Sequence, residues 1–390
     1  MHYTRNLKGE ILRQLDYFPC VVILGARQVG KTTLARMLAA SIKRETLYLD
    51  LELDSDANRL SEPELFLNLN KEKCIIIDEV QRMPRLFPLL RGIIDQHRTP
   101  GRFILLGSAN THVLKLSAES LAGRVSYTGL SGFLQNEVSE KHSLNRLWMN
   151  GGFPEAFLME KNEVRMIWFN SFFKTIVERD LPQLGLSVSS GTVSRFIRML
   201  AANQGGILNK GNLAGSLDIS YAHVNEILGY LNAIFVIRVL EPFYINIGKR
   251  LTKSPKVYVR DSGLLHYLNG IHDMNALFGN QIAGNSWEGF CIEQIIGSLG
   301  DSFSYFFFRT QDQAECDLVI CKNDKPLYCV EIKLSSSPGR SRSMTSVIND
   351  LKTPENFIII PECEAEYPLS ENISVCDLPT FIRKFTLLTD

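Results

Sequence analysis

The sequence offers little that would mark a membrane, secreted or metal-scaffold protein. Among 390 residues no apolar run approaches the roughly 20 needed to span a bilayer. The longest, such as Cys74–Ile77 and Phe103–Leu106, are strand-sized. The first residues, Met1 to Gln14, are polar and lack the apolar core of a secretory signal. None of the eight cysteines forms a CxxC pair, which argues against a zinc knuckle. No HExxH or comparable histidine spacing occurs. Cys74 and Cys329 sit in apolar runs and read as small buried side chains. A reducing, cytoplasmic setting with no membrane partner is expected. Net charge is also absent, with 42 basic and 42 acidic residues, which excludes a basic coat or an acidic tail.

What is present reads as an ordinary folded chain of two or three domains, 45% hydrophobic and 22% charged. Residues 1–150 alternate strands and helices, the pattern of a parallel sheet covered on both faces. Residues 151–283 are mostly helical. Residues 284–390 open with a helix at Trp287–Leu299, followed by strand-like runs at Tyr305–Arg309, Cys316–Cys321, Leu327–Ile332 and Phe357–Ile360. The Ser/Pro/Gly-rich stretch Ser335–Ser343 reads as a mobile loop. The charge is unevenly shared. Residues 1–189 carry 24 basic and 21 acidic side chains, residues 190–283 nine and five, and residues 284–390 nine and 16.

The strongest motif spans Gly25, Ala26, Arg27, Gln28, Val29, Gly30, Lys31 and Thr32, matching GxxxxGK[ST]. It follows the apolar strand Cys20–Leu24 and opens a helix, as a phosphate-binding loop requires. Backbone N–H groups of this loop, continuing through Thr33, would face the phosphates of ATP, aided by the helix N-terminus. Lys31 would reach the β- and γ-phosphates, and Thr32 would bind Mg2+. The strand Cys74–Asp78 ends in two carboxylates. Asp78 would hold Mg2+ through water, and Glu79 would orient or deprotonate the attacking water. At the end of Phe103–Gly107, Ser108 or Asn110 would sense the γ-phosphate. Arg124 would reach a neighbouring subunit's nucleotide as an arginine finger, implying a homo-oligomer.

These residues, with Gly151-Gly-Phe-Pro-Glu155, Glu178-Arg-Asp180 and Arg260-Asp261-Ser-Gly263, resemble the bacterial and archaeal AAA+-type ATPases that carry a C-terminal domain of unknown function. The resemblance implies an α/β architecture in three parts. These are a P-loop ATPase domain, a helical winged-helix middle and an α/β restriction-endonuclease-like end.

In the middle part, helices at Thr192–Asn203, near Asn212 and at Tyr221–Asn232 fit a winged helix-turn-helix, with Ser220 as a cap. The third helix contains no lysine or arginine, which weakens direct base reading. Lys249, Arg250, Lys253 and Lys256 cluster on the following segment and would contact DNA phosphates. A competing reading makes this segment an internal contact to the acidic third part.

In that third part Glu331 and Lys333 share one face of a strand, and an adjacent strand carries Asp317. With helical Glu288 the set resembles a PD-(D/E)xK nuclease-like core, whose carboxylates would hold Mg2+ beside Lys333. The proline of that motif is absent, and no glutamine follows Gln313. The expected function is ATP hydrolysis on or with DNA. The alternative is a nucleotide-controlled switch that recruits a protein partner and turns over slowly.

Overall fold

The structure, a computed structural model, describes residues 3–108, 121–245, 251–336, 338–339 and 342–386. The chain forms two compact units. The first comprises Met1–Phe133 with Phe153–Glu155 and Ala233–Phe235; the second comprises Leu134–Gly152, Ala156–Asn232 and Val236–Asp390. The helical middle and the third part of the sequence therefore lie largely within one unit.

The first unit is built on strands β1 (Cys20–Gly25), β2 (Thr46–Asp50), β3 (Cys74–Asp78), β4 (Phe103–Ser108) and β5 (Val125–Leu130). They form one sheet in the order β2-β3-β4-β1-β5, with every pair parallel. The runs in β1 and β3 are buried throughout, as expected of strands covered on both faces. Helix Leu86–Gln96 shows why it packs: Leu86, Phe87, Leu90, Ile93 and Ile94 recur at helical spacing and are all buried. Because the strands run in parallel, Gly25, Asp50, Asp78 and Ser108 all lie at their carboxyl ends. In such sheets that edge is where ligands bind.

The second unit begins with helices and ends in a mixed sheet. Helices Ser190–Ala202, Lys210–Leu217 and Tyr221–Ala233 precede an antiparallel ribbon of β6 (Ile237–Leu240) and β7 (Lys256–Val259). Ser220 caps the third helix by accepting the His223 N–H at 3.1 Å. Asp218 takes a left-handed conformation at the turn, with φ of 53°. The segment after the first helix pairs with the ribbon: Gly205 N–H donates to Val257 O and Leu208 N–H to Pro255 O.

Helix Ala283–Leu299 then leads into a sheet of order β12-β13-β11-β10-β9-β8. Its strands are β8 (Ser304–Arg309), β9 (Glu315–Lys322), β10 (Lys325–Ile332), β11 (Glu355–Ile360), β12 (Tyr367–Ser370) and β13 (Ile373–Asp377). Helix Arg342–Leu351 separates β10 from β11, burying Met344, Val347, Ile348 and Leu351. The stretch read as a loop thus already turns helical at Arg342. Ser343 accepts the Glu315 N–H at 2.7 Å and donates to Glu315 O at 3.0 Å.

Two of the sequence patterns prove to be one joint in the second unit. Asp261 accepts the Gly152 N–H at 2.7 Å and caps helix Ser262–Leu268 through the Leu264 N–H at 2.8 Å. A Cβ on Gly151 would lie 2.3 Å from the Asp261 carboxylate, and one on Gly263 would lie 2.2 Å from Asn150 O. Glycine is needed at both positions because no side chain fits. Among the described residues no helix is long and apolar enough to cross a membrane.

Candidate active site

The phosphate loop joins β1 to helix Lys31–Ala39. Its bend depends on left-handed backbone at Gln28 and Gly30, with φ of 60° and 97°. Gly25 meets a tight wall, since a Cβ there would lie 2.6 Å from Leu130 O. Arg5, which sequence reasoning missed, supports the loop from below. Its guanidinium donates to Val29 O at 3.1 Å and to Ser131 O at 2.7 Å. No motif announces Arg5; only the tertiary fold brings it there.

Lys31 is buried and donates to Gly25 O at 3.1 Å and Ala26 O at 2.9 Å. Burial pulls its pKa below the usual lysine value, against the pull of Glu79 and Asp78. Thr32 Oγ1 donates to Asp78 Oδ2 at 2.6 Å, and the Tyr48 hydroxyl donates to the same oxygen. Asp78 Oδ1 accepts the Glu79 N–H at 2.9 Å. Tyr48 was also missed; its strand carries no motif. Burial raises its pKa, as do the bond and charge of Asp78.

Glu79 stands at the exit of β3 in left-handed backbone, φ 53°. For a residue other than glycine this costs on the order of 1 kcal/mol. Its carboxylate accepts from Gln81 Nε2. Burial raises its pKa, partly offset by Lys31. A carboxylate moved towards neutrality is a better proton acceptor near physiological pH. Arg27 lies 3.6 Å from Glu52, which also pairs with Arg82 at 3.3 Å. Ser108 is in register with Gly25, placing its backbone beside the start of the loop. Asn110 lies outside the described residues.

The remaining expected sites fare differently. Arg124 holds Asp95 of its own chain in a two-pronged pair, at 2.5 and 2.9 Å. Lys249 and Arg250 lie outside the described residues. Lys253 is on the segment leading into β7, where its carbonyl accepts the Tyr244 hydroxyl at 3.1 Å.

Lys256 departs from the expectation of a solvent-facing DNA contact. It is buried, with its ammonium 3.0 Å from Glu288, 2.6 Å from Glu315 and 3.7 Å from Asp317. Burial opposes its charge, but Glu288, Asp317 and Glu315 outweigh burial and hold its pKa above the ordinary range.

The second expected Mg2+ site is brought together in part. Asp317 does reach the end of β10, where it accepts the Ile332 N–H at 2.9 Å, and Lys333 pairs with Glu331 at 2.7 Å. Yet Glu288, Asp317 and Glu331 do not assemble into a metal cage. Among the described residues no group of three or more His, Cys, Asp or Glu is placed to hold a metal. The Lys256 ammonium lies close to Glu288, Glu315 and Asp317. Burial and the Glu288 charge raise the Asp317 pKa to about 7, with Lys256 resisting.

Residues 17–139 match the family described as an AAA domain. Residues 141–275 and 283–381 match two families, each described as a domain of unknown function (DUF8612 and DUF4143). The chain is 41% identical over 369 residues to an uncharacterized protein of Mycobacterium tuberculosis, covering 95% of this chain and 82% of that one. The same values hold for an uncharacterized protein of Mycobacterium bovis. Among solved structures it is similar to a Walker-type ATPase of Pyrococcus abyssi, at 15% identity, 69% and 96% coverage and a TM-score of 0.48. It is also similar to RuvB of Thermotoga maritima, at 16% identity, 60% and 89% coverage and a TM-score of 0.32. The loop, the paired carboxylates and the AAA match define an AAA-type P-loop ATPase. The chain belongs to the same family as these two mycobacterial relatives.

Proposed function

We propose that this chain hydrolyses ATP and acts on or with DNA. The observation that carries the ATPase reading is the meeting of Thr32 with Asp78 at 2.6 Å, beside buried Lys31 and half-buried Glu79. Two hard oxygen donors at the mouth of a phosphate loop suit Mg2+. Thr32 and Asp78 would hold it, and it would neutralise phosphate charge. Lys31 would exchange the carbonyls of Gly25 and Ala26 for β- and γ-phosphate oxygens. Glu79 would accept the proton of the attacking water, with Gln81 orienting its carboxylate. Arg124 would complete a neighbour's site only after leaving Asp95.

The DNA arm rests on the second unit. Three helices followed by a two-stranded ribbon support a winged-helix reading. A cleft of about 520 Å3 lies where Asn209, Lys210, Gly211 and Tyr221 face Lys253, Ser254 and Pro255. The Lys210 ammonium stands 5.8 Å from the centre of the exposed Tyr221 ring. Two lysines and an exposed aromatic suit a backbone phosphate and a stacked base. The order helix, β8, β9, β10, helix, β11 supports a nuclease-like fold for the last part. The Lys256 ammonium among these carboxylates does not favour cleavage, and none is proposed.

Steady-state ATP turnover, with and without single- and double-stranded DNA, tests this reading. Turnover that DNA stimulates and Glu79→Gln abolishes is expected. One observation favours a second reading, a slow nucleotide-controlled switch: Arg124 is already engaged within its own chain. Negligible turnover with an ATP-dependent change of oligomeric state would select that reading.

A further inference from the structure

The nuclease-like carboxylates are not waiting for a cation, because the chain supplies one. Lys256 projects from β7 with only 4% of its side chain exposed. Its ammonium stands 3.0 Å from Glu288, 2.6 Å from Glu315 and 3.7 Å from Asp317. Other donors also hold each of these carboxylates. The Tyr258 hydroxyl donates to Glu288 at 2.6 Å, Arg309 pairs with Glu315 at 3.3 Å, and the Ile332 N–H binds Asp317. Glu331, on the neighbouring strand, is drawn to Lys333.

A divalent ion in this space would lie against a buried ammonium, with little water to screen the repulsion. Mg2+ also requires oxygen ligands at about 2.1 Å in octahedral array, and it gives up its waters reluctantly.

A second ion cluster ties the same ribbon to the same helix. Glu293 accepts from both Arg238 on β6 and Arg260 just after β7, the latter at 2.8 Å. The ring of Tyr258 fits between two glycines: a Cβ on Gly205 would lie 2.9 Å from it, and one on Gly289 would lie 3.0 Å away. Packing, a buried lysine and a doubly paired glutamate thus all join ribbon to helix.

We propose that Lys256 is the resident cation of this carboxylate centre. The centre then works as a metal-independent joint between the ribbon and the nuclease-like sheet, and not as a divalent-metal site. The inference stands apart from the ATPase reading, since neither Lys31 nor Asp78 takes part.

Mn2+ binding by the nucleotide-free full chain, followed by electron paramagnetic resonance, tests it. A Thr32→Ala/Asp78→Asn background removes the phosphate-loop ligands. No Mn2+ bound at millimolar concentration is the expected result. One ion bound per chain, and lost on adding Asp317→Asn, overturns the proposal. Thermal unfolding supplies a second arm. Lys256→Met leaves half-buried carboxylates without their counter-ion and should lower Tm by on the order of 10 °C. Adding Glu288→Gln to that variant should recover part of the loss. A Lys256→Met chain as stable as the parent overturns the joint. If that variant does not fold, the Mn2+ measurement on the Lys256-containing chain still decides.

Discussion

Thr32 Oγ1 donates to Asp78 Oδ2 at 2.6 Å, although 46 residues of sequence separate them. The contact joins the first turn of one helix to the end of a strand that is not its neighbour in the sheet, since β4 lies between β1 and β3. Removing either partner takes away an oxygen expected to face Mg2+. Thr32→Ala and Asp78→Ala should each lower kcat about 10²–10³-fold, the scale for losing a preorganised charge-stabilising group. Turnover measured against Mg2+ concentration checks this. Unchanged Mg2+ dependence in both variants would contradict the assignment.

Glu79→Gln keeps shape and hydrogen bonding but cannot accept a proton. Turnover should fall about 10²–10⁴-fold while ATP still binds. The parent should also show an acid limb. Burial raises the Glu79 pKa, so its basic form is lost as pH falls through that raised value. The limb should lie above the usual glutamate value of about 4.3 and vanish from the residual activity of Glu79→Gln.

Arg124 and Asp95 pose a test of assembly. If Arg124 acts on a neighbour, Arg124→Ala should cut kcat by about 10³-fold. Mixing Arg124→Ala chains with Lys31→Ala chains should then restore part of the activity, because each supplies what the other lacks. Asp95→Ala should raise turnover at low protein concentration by releasing the guanidinium. Two inactive variants that stay inactive when mixed would argue against an arginine finger.

His266 predicts acid sensitivity in the second unit. Its Nδ1 lies 3.0 Å from Met149 O and its Nε2 lies 2.7 Å from Ser286 Oγ, which also accepts from Trp148 at 3.0 Å. Burial lowers its pKa from 6.5 to about 4. The unfolded chain therefore binds the proton more readily than the folded one in that window. Stability is retained above about 6.5 and is lost as pH falls towards about 4, by on the order of 3 kcal/mol. Urea unfolding across the window checks this. His266→Gln should be less stable at neutral pH yet show a flatter dependence on acid.

DNA binding, if it uses the cleft between Lys210 and Lys253, should be salt-dependent. Lys210→Ala and Lys253→Ala should each reduce the slope of log affinity against log salt by about one. Lys256→Met should leave that slope unchanged, since its ammonium faces carboxylates. A gel-shift series over salt concentration separates the two groups.

Much of this was legible in the chain because it is local. The phosphate loop is eight consecutive residues between an apolar strand and a helix. Helix Leu86–Gln96 announces itself by the spacing of Leu86, Leu90, Ile93 and Ile94. The pair Glu331 and Lys333 shares a face because alternate strand residues do. Arg5 and Tyr48 were invisible because nothing in their own neighbourhoods marks them. They matter only through Val29 and Asp78, which folding brings near.

By itself, the sequence determined the phosphate-loop motif and four of the five strands of its sheet, since backbone periodicity and loop chemistry act over a few residues. Tertiary structure alone decided how the charges are used. A run of basic residues looks alike whether it meets solvent or carboxylates. Only the packing of β7 against helix Ala283–Leu299 turned Lys256 inward to Glu288, 32 residues away. Desolvation then made pairing obligatory, because a buried charge without a partner is too costly to keep.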